Sequence, residues 1–121
     1  AWDWNVKTGV LTWSNGLEQI FGFGLNEGEF THDALIERVH IEDQRKVADS
    51  LSACFTGKKS HNLEYRILWP DGSIHWLREV GDILLDENNE PRHMLAVVTD
   101  ITPRKTLESN LHKILDKKRL K

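Results

Sequence analysis

The chain has 121 residues, 39% hydrophobic and 29% charged, a composition that fits one ordinary globular domain and leaves no room for two. Its single cysteine, Cys54, excludes an intrachain disulfide, and no apolar run approaches the roughly 18 residues a membrane span requires. The formal charge of −3 is unevenly spread: from Pro103 onward seven Lys/Arg face two acids, so the tail carries +5 and the first 102 residues carry −8. An acidic body with no basic stripe interleaved with aromatics excludes nucleic acid as the expected partner. The basic tail reads as the solvated face of a helix, with no membrane contact. The chain opens at Ala1, without a methionine or a signal-peptide pattern, directly in a strand-like segment. It is expected to be a cytoplasmic piece of a longer protein.

Trp2, Trp4 and Val6 alternate with polar residues, Thr8-Gly9 marks a turn, and Val10 to Trp13 forms a second short run, which together predict a hairpin. Asn15 followed three residues later by Glu18 predicts a capped short helix carrying Leu17, Ile20 and Phe21. Gly22, Gly24 and Gly28 predict turns, and Thr31 an N-cap for a short helix with Leu35, Ile36 and Val39. The longest interior helix is expected to hold Glu42 and Asp43 in its first turn, where acids suit the macrodipole. It presents Val47, Leu51 and Cys54/Phe55 at helical spacing and stops at Gly57.

Three strands come next, at about Leu63–Trp69, Ile74–Leu85 and His93–Ile101. They are joined by the Pro70-Asp71-Gly72 turn and the polar loop from Asp86 to Pro91, so tight connections make them antiparallel. A sheet built from both ends of the chain, with helices on one face, is an α+β architecture. Thr102 then reads as an N-cap with Pro103 at the first helical position, opening a helix in which Leu107, Leu111 and Ile114 form a short heptad seam. Lys118 would be the next core position. Two heptads are too short to stand alone. The division is therefore a domain over 1–102 and a connector helix over 103–121.

Trp4 with Thr8-Gly9, Trp13-Ser14, Phe21-Gly22, His40-Ile41-Glu42-Asp43, Glu64-Tyr65-Arg66, Asp71-Gly72, Trp76, Asp86-Glu87 and Asp100-Ile101-Thr102 occur in this order across nearly the whole chain. In this ordered set the chain resembles the PAS domain family, in the branch with a Trp-rich first hairpin and a His-Pro-Glu-Asp helix start. Ile41 replaces the family's proline, and Ala96 stands where a glycine is frequent, its methyl intruding slightly on any cavity beneath the sheet. The resemblance implies a five-stranded antiparallel sheet with helices over its concave face. It also implies sensing or dimerisation rather than catalysis, with output through the C-terminal helix to a covalently linked histidine kinase or cyclic-dinucleotide enzyme.

No cofactor is expected. Flavin-binding relatives carry a reactive cysteine in a Gly-x-Asn-Cys-Arg-Phe type loop, whereas Cys54 lies at helical spacing with Val47 and Leu51 and reads as core. None of His32, His40, His61, His75, His93 and His112 stands out as a heme ligand, and no short His/Cys spacing fits a metal. His112 lacks the following acid of a kinase phosphoacceptor. No nucleophile elbow or phosphate-cradling glycine loop occurs, so no enzyme is expected.

The remaining chemistry is a small-molecule pocket between sheet and helices. Its expected lining is Val47, Leu51, Leu63, Tyr65, Ile67, Leu77, Glu79, Gly81, Met94, Ala96 and Val98, with Tyr65 and Glu79 as polar anchors. A filled core is the competing expectation. The opposite sheet face carries Arg66, Ile74, Trp76, Arg78, Leu95 and Val97, too apolar to be left in water. With Leu107, Leu111 and Ile114 it forms the expected homodimer face, anchored by Trp76. Asp100, Ile101 and Thr102 are expected to couple sheet to helix, Asp100 pairing with Arg78 or Lys105 and Thr102 capping the helix. A ligand-free protein–protein scaffold is the alternative function.

Overall fold

The computed structural model describes residues 1–14, 16–22, 32–57 and 59–119. The expectations placed on Asn15, Gly24, Gly28 and Thr31 lie outside the described residues. The elements are β1 (Trp2–Asn5), β2 (Leu11–Trp13), α1 (Leu17–Phe21), α2 (His32–Arg38), α3 (Gln44–Phe55), β3 (His61–Leu68), β4 (Ile74–Leu85), β5 (Pro91–Asp100) and α4 (Thr102–Arg119). They form the α+β fold the pattern implied, a five-stranded antiparallel sheet in the order β2-β1-β5-β4-β3.

The turn chemistry accounts for the two ends of this sheet. Asn5 Oδ1 accepts the backbone N–H groups of Lys7 and Thr8, and Gly9 takes a positive φ of 76° to close the first hairpin. Asp71 Oδ1 accepts the N–H of Ser73 and so fixes the β3–β4 turn. β1 lies between β2 and β5, pairing Trp2 with Ala96 and Trp4 with Met94, so the first strand completes the sheet that the last three begin.

Because strand side chains alternate, register decides which residues reach the core. Tyr65 lies opposite Leu77, Leu63 opposite Glu79, Glu79 opposite Val98, and Gly81 opposite Ala96. Ile67, Leu77 and Met94 are fully enclosed. A side chain at Gly81 would come within 2.5 Å of the Leu95 carbonyl, so only glycine fits beside the Ala96 methyl.

α3 buries Val47, Leu51 and Cys54 against β3, and Gly57, at φ 71°, takes the left-handed position just past its end. α1 buries Leu17 and Phe21 and ends at Gly22 with φ 76°. A Cβ there would sit 2.8 Å from the Trp69 ring, whose indole N–H donates to the Ile20 carbonyl. α4 differs from the other helices in burying none of its described residues. No helix among the described residues is long and apolar enough to cross a membrane.

Candidate functional site

The aromatic core beneath the sheet is built around an acidic side chain. Glu79 on β4 is 4% exposed, and its carboxylate accepts the Trp2 indole N–H at 2.7 Å and the His61 Nε2–H at 2.8 Å. Tyr65 lines the same small cavity as this carboxylate. Burial first, and then the Glu79 charge, push the Tyr65 phenol well above its ordinary range, so it stays protonated. A donor role for Nε2 leaves His61 Nδ1 to meet the Ser50 hydroxyl of α3 at 2.7 Å. The network therefore ties α3, β1, β3 and β4 together through a single carboxylate. It sits between the rings of Trp2, Phe21 and Tyr65, and the enclosing residues leave a cavity of only about 10 Å³.

His32, the first residue of α2, completes the aromatic wall. Its ring stacks on Trp4 with centroids 4.2 Å apart and planes 4° from parallel, and meets Trp2 edge-on at 5.8 Å. Burial lowers its pKa, and the nearby Glu79 charge opposes that shift.

A second constellation joins the outer sheet face to α4. Thr102 Oγ1 accepts the Trp76 backbone N–H at 2.9 Å, and the Trp76 carbonyl accepts the Ile101 N–H at 2.9 Å. Asp100 does not pair with Arg78 or Lys105. Its Oδ1 accepts the Thr102 N–H at 2.9 Å, which satisfies an open donor of the helix start. The hydroxyl of Thr102, expected as the cap, is thus committed to β4, and the carboxylate two residues earlier takes over the capping role. Lys105 turns instead to Glu64, at 2.8 Å, and lies over the Trp76 ring at 4.8 Å; Arg104 also binds Glu64. Hydrogen bonds from Lys105 and Arg104 hold the Glu64 carboxyl below its ordinary range.

The two acids before α3 depart from the sequence expectation. Glu42 and Asp43 precede α3 rather than lying in its first turn, and both clamp Arg66, with Asp43 also accepting the Arg66 backbone N–H. The hydrogen bonds from Arg66 pull the Asp43 carboxyl below its ordinary range. The guanidinium stands over Trp76 at 5.4 Å, so Arg66 and Lys105 both lie against this indole. The exposed apolar surface lies to either side, at Ile74 and Leu68 and at Val80, Leu95 and Val97. Leu107, Leu111 and Ile114 of α4 are exposed as well.

The pocket residues expected from the sequence are brought together on one face, facing Val47 and Leu51. Among the described residues their side chains pack closely around a cavity of about 10 Å³, and Cys54 points to Asp82 Oδ1, at 4.0 Å, on β4. Among the other histidines, His40 Nδ1 accepts the Glu42 N–H, His75 stacks on Trp69, His93 meets Asp3, and His112 is exposed on α4. The described residues contain no group of three or more side chains able to hold a metal ion.

Two members of the core network, Trp2 and His61, are not singled out by sequence reasoning. Continuing the alternation of Tyr65 and Leu63 back by one step reaches His61. A buried tryptophan needs an acceptor for its N–H, and that requirement is the signal that points from Trp2 to an acid in the core.

A family model described as the PAS fold matches residues 10–98. The chain is 23% identical over 111 residues to the sensor protein FixL of Bradyrhizobium diazoefficiens, covering 92% of this chain and 22% of that protein. It is 30% identical over 109 residues to a blue-light-activated histidine kinase of Brucella ovis, covering 90% of this chain and 21% of the kinase. Among solved structures, a sensory box histidine kinase/response regulator from Burkholderia thailandensis matches with a TM-score of 0.80 at 28% identity, covering 99% of this chain and 89% of that one. The chain spans about a fifth of the length of the curated relatives it matches.

Proposed function

The chain belongs to the PAS fold family, and from that premise we propose that it passes a ligand- or partner-dependent change to a covalently linked output domain through Asp100-Ile101-Thr102 and α4. It is a sensory module of signalling proteins, and its own fold is not a catalytic one. The observation that carries the proposal is the hydrogen bond from the Trp76 backbone N–H to the Thr102 hydroxyl. It ties the first turn of α4 to β4, the strand that also holds Glu79 in the core. A shift of β4 relative to β5 therefore changes the direction of α4, and coupling of this kind needs two arrangements that the input weights differently.

The output domain we assign is of the histidine kinase or cyclic-dinucleotide type, in keeping with the kinases among the relatives. Homodimerisation through Leu95, Val97 and Val80 together with the Leu107/Leu111/Ile114 seam explains why so much apolar surface is exposed. The nearly filled interior favours a second reading, a scaffold that answers to a protein partner rather than to a bound molecule.

The test is Asp100→Ala in the intact protein. Loss of regulation with an unchanged fold supports the coupling, and unchanged regulation removes it.

A further inference from the structure

We propose that Glu64 of β3 is the positioning residue that sets the direction in which α4 leaves the domain, so that sliding of β3 against β4 tilts the helix. The proposal rests on the chain's being a sensory module with output through α4, and it names the side chain on which that output turns.

Three observations carry it. First, α4 is held at its start. It has 18 residues and buries none of those described; Thr102 and Lys105 are half-buried, and every described residue beyond Lys105 is exposed. A rod fastened at one point pivots, whereas a rod fastened at two points has a direction. Second, the two fastenings lie on different strands. Thr102 Oγ1 takes the Trp76 N–H of β4 at 2.9 Å, while the Lys105 ammonium binds Glu64 Oε1 of β3 at 2.8 Å and Arg104 binds the other oxygen. Arg78 stands opposite Glu64 in the β3–β4 register, yet α4 takes both carboxylate oxygens. Third, β3 is tied to the start of α3 close to this point. Arg66 lies two residues from Glu64, on the same sheet face. Asp43 accepts its backbone N–H at 2.8 Å and its guanidinium at 2.9 Å, and the Arg66 carbonyl accepts the His40 N–H at 2.8 Å. A displacement at the start of α3 therefore carries β3 and Glu64 with it, while Thr102 stays with β4. Exposed ion pairs contribute little to folding stability, so a positioning role for Glu64 is separable from a structural one.

The test reads the direction of α4 in the 121-residue chain. Cys54→Ala removes the native thiol, and spin labels are placed through Glu87→Cys in the β4–β5 loop and Lys117→Cys near the end of α4. The labelled chain is diluted with unlabelled chain, so that pulsed electron spin resonance reads distances within one molecule. The 12 residues from Lys105 to Lys117 span about 18 Å, so a tilt of about 20° moves the far label by roughly 6 Å. Glu64→Gln should shift or broaden the distance distribution by about that amount while Tm changes by about 4 °C or less. Reversing the charges, with Glu64→Lys joined to Arg104→Glu and Lys105→Glu, should restore the parent distance. Raising the salt to about 1 M, where the screening length falls to about 3 Å, should broaden the parent's distribution and leave that of Glu64→Gln as it is.

An unchanged distance in Glu64→Gln overturns the proposal, as does a fall in Tm with no change in distance, a charge reversal that does not restore the parent distance, or a parent distribution that salt does not alter. Failure of the sensory reading looks different: α4 tilts in Glu64→Gln, yet neither this change nor Asp100→Ala alters the output of the intact protein.

Discussion

Replacing Glu79 by leucine tests whether the core is organised around its carboxylate. Leucine is close in volume, so the change leaves the packing of β4 nearly intact and removes the acceptor. Two enclosed donors then lose their partner: the Trp2 indole and His61 Nε2. A stranded buried donor costs about 1–3 kcal/mol, and partial relaxation brings the sum to roughly 2–4 kcal/mol. For a chain of this length that corresponds to a fall in Tm of about 8–16 °C. Urea denaturation gives the free energy, and near-UV circular dichroism reports the loss of Trp2's fixed environment. The network argument makes a sharper demand on the double variant. With Glu79→Leu in place, adding His61→Leu removes one of the stranded donors and frees Ser50 to bond within its own helix. The second change should therefore cost far less than it does alone, and it should recover part of the loss. Glu79→Leu within about 1 kcal/mol of the parent, or strict additivity of the pair, would refute the reasoning.

Single contacts set the other expectations. Gly22→Ala places a methyl against the Trp69 ring at a positive φ and should cost about 2 kcal/mol or more, measured by the same denaturation. Thr102→Val removes the acceptor for the Trp76 N–H and should cost about 1–2 kcal/mol, with faster hydrogen exchange at Trp76 and Ile101. Asp43 has a folded pKa below its unfolded value of about 3.9, so its contribution is fully present above that value and is lost as pH falls through the folded one. Acid titration should thus show the parent losing stability below about pH 4, while Asp43→Asn, less stable at neutral pH, loses less over that window. Val97→Lys puts a charge in the exposed apolar patch and should turn a dimer into a monomer in sedimentation equilibrium; an unchanged mass would place the interface elsewhere.

Much of this structure is legible in the sequence because period-two alternation leaves little freedom. Once Leu63, Tyr65 and Ile67 share a face, tight turns pass the register on to Leu77, Glu79 and Gly81 and then to Ala96 and Val98. Tyr65 and Glu79 are both buried there. His61 is hidden because a polar His-Asn pair makes β3 look shorter than it is. The Arg66 clamp is hidden for a different reason. Glu42 and Asp43 have a sufficient local explanation as acids at a helix start, and no local pattern shows that a strand 23 residues further on supplies their cation. The Asp100 case is the reverse. The sequence suggests a long-range ion pair, and the carboxylate instead takes the nearest open N–H, because Glu64 already holds Lys105. Side-chain pairing between elements is settled by competition among all available partners, which spacing along the chain does not record.

The proposed role of α4 as the conveyor of the signal is tested most directly by lengthening it in the intact protein. One to seven residues are inserted after Ile114, and output activity is measured with and without input. Each added residue rotates the downstream domain by about 100°, so regulation should be lost or inverted at most lengths and should return at seven, where the heptad seam is restored. Regulation that survives every insertion, or that vanishes and does not return at seven, would contradict transmission through this helix.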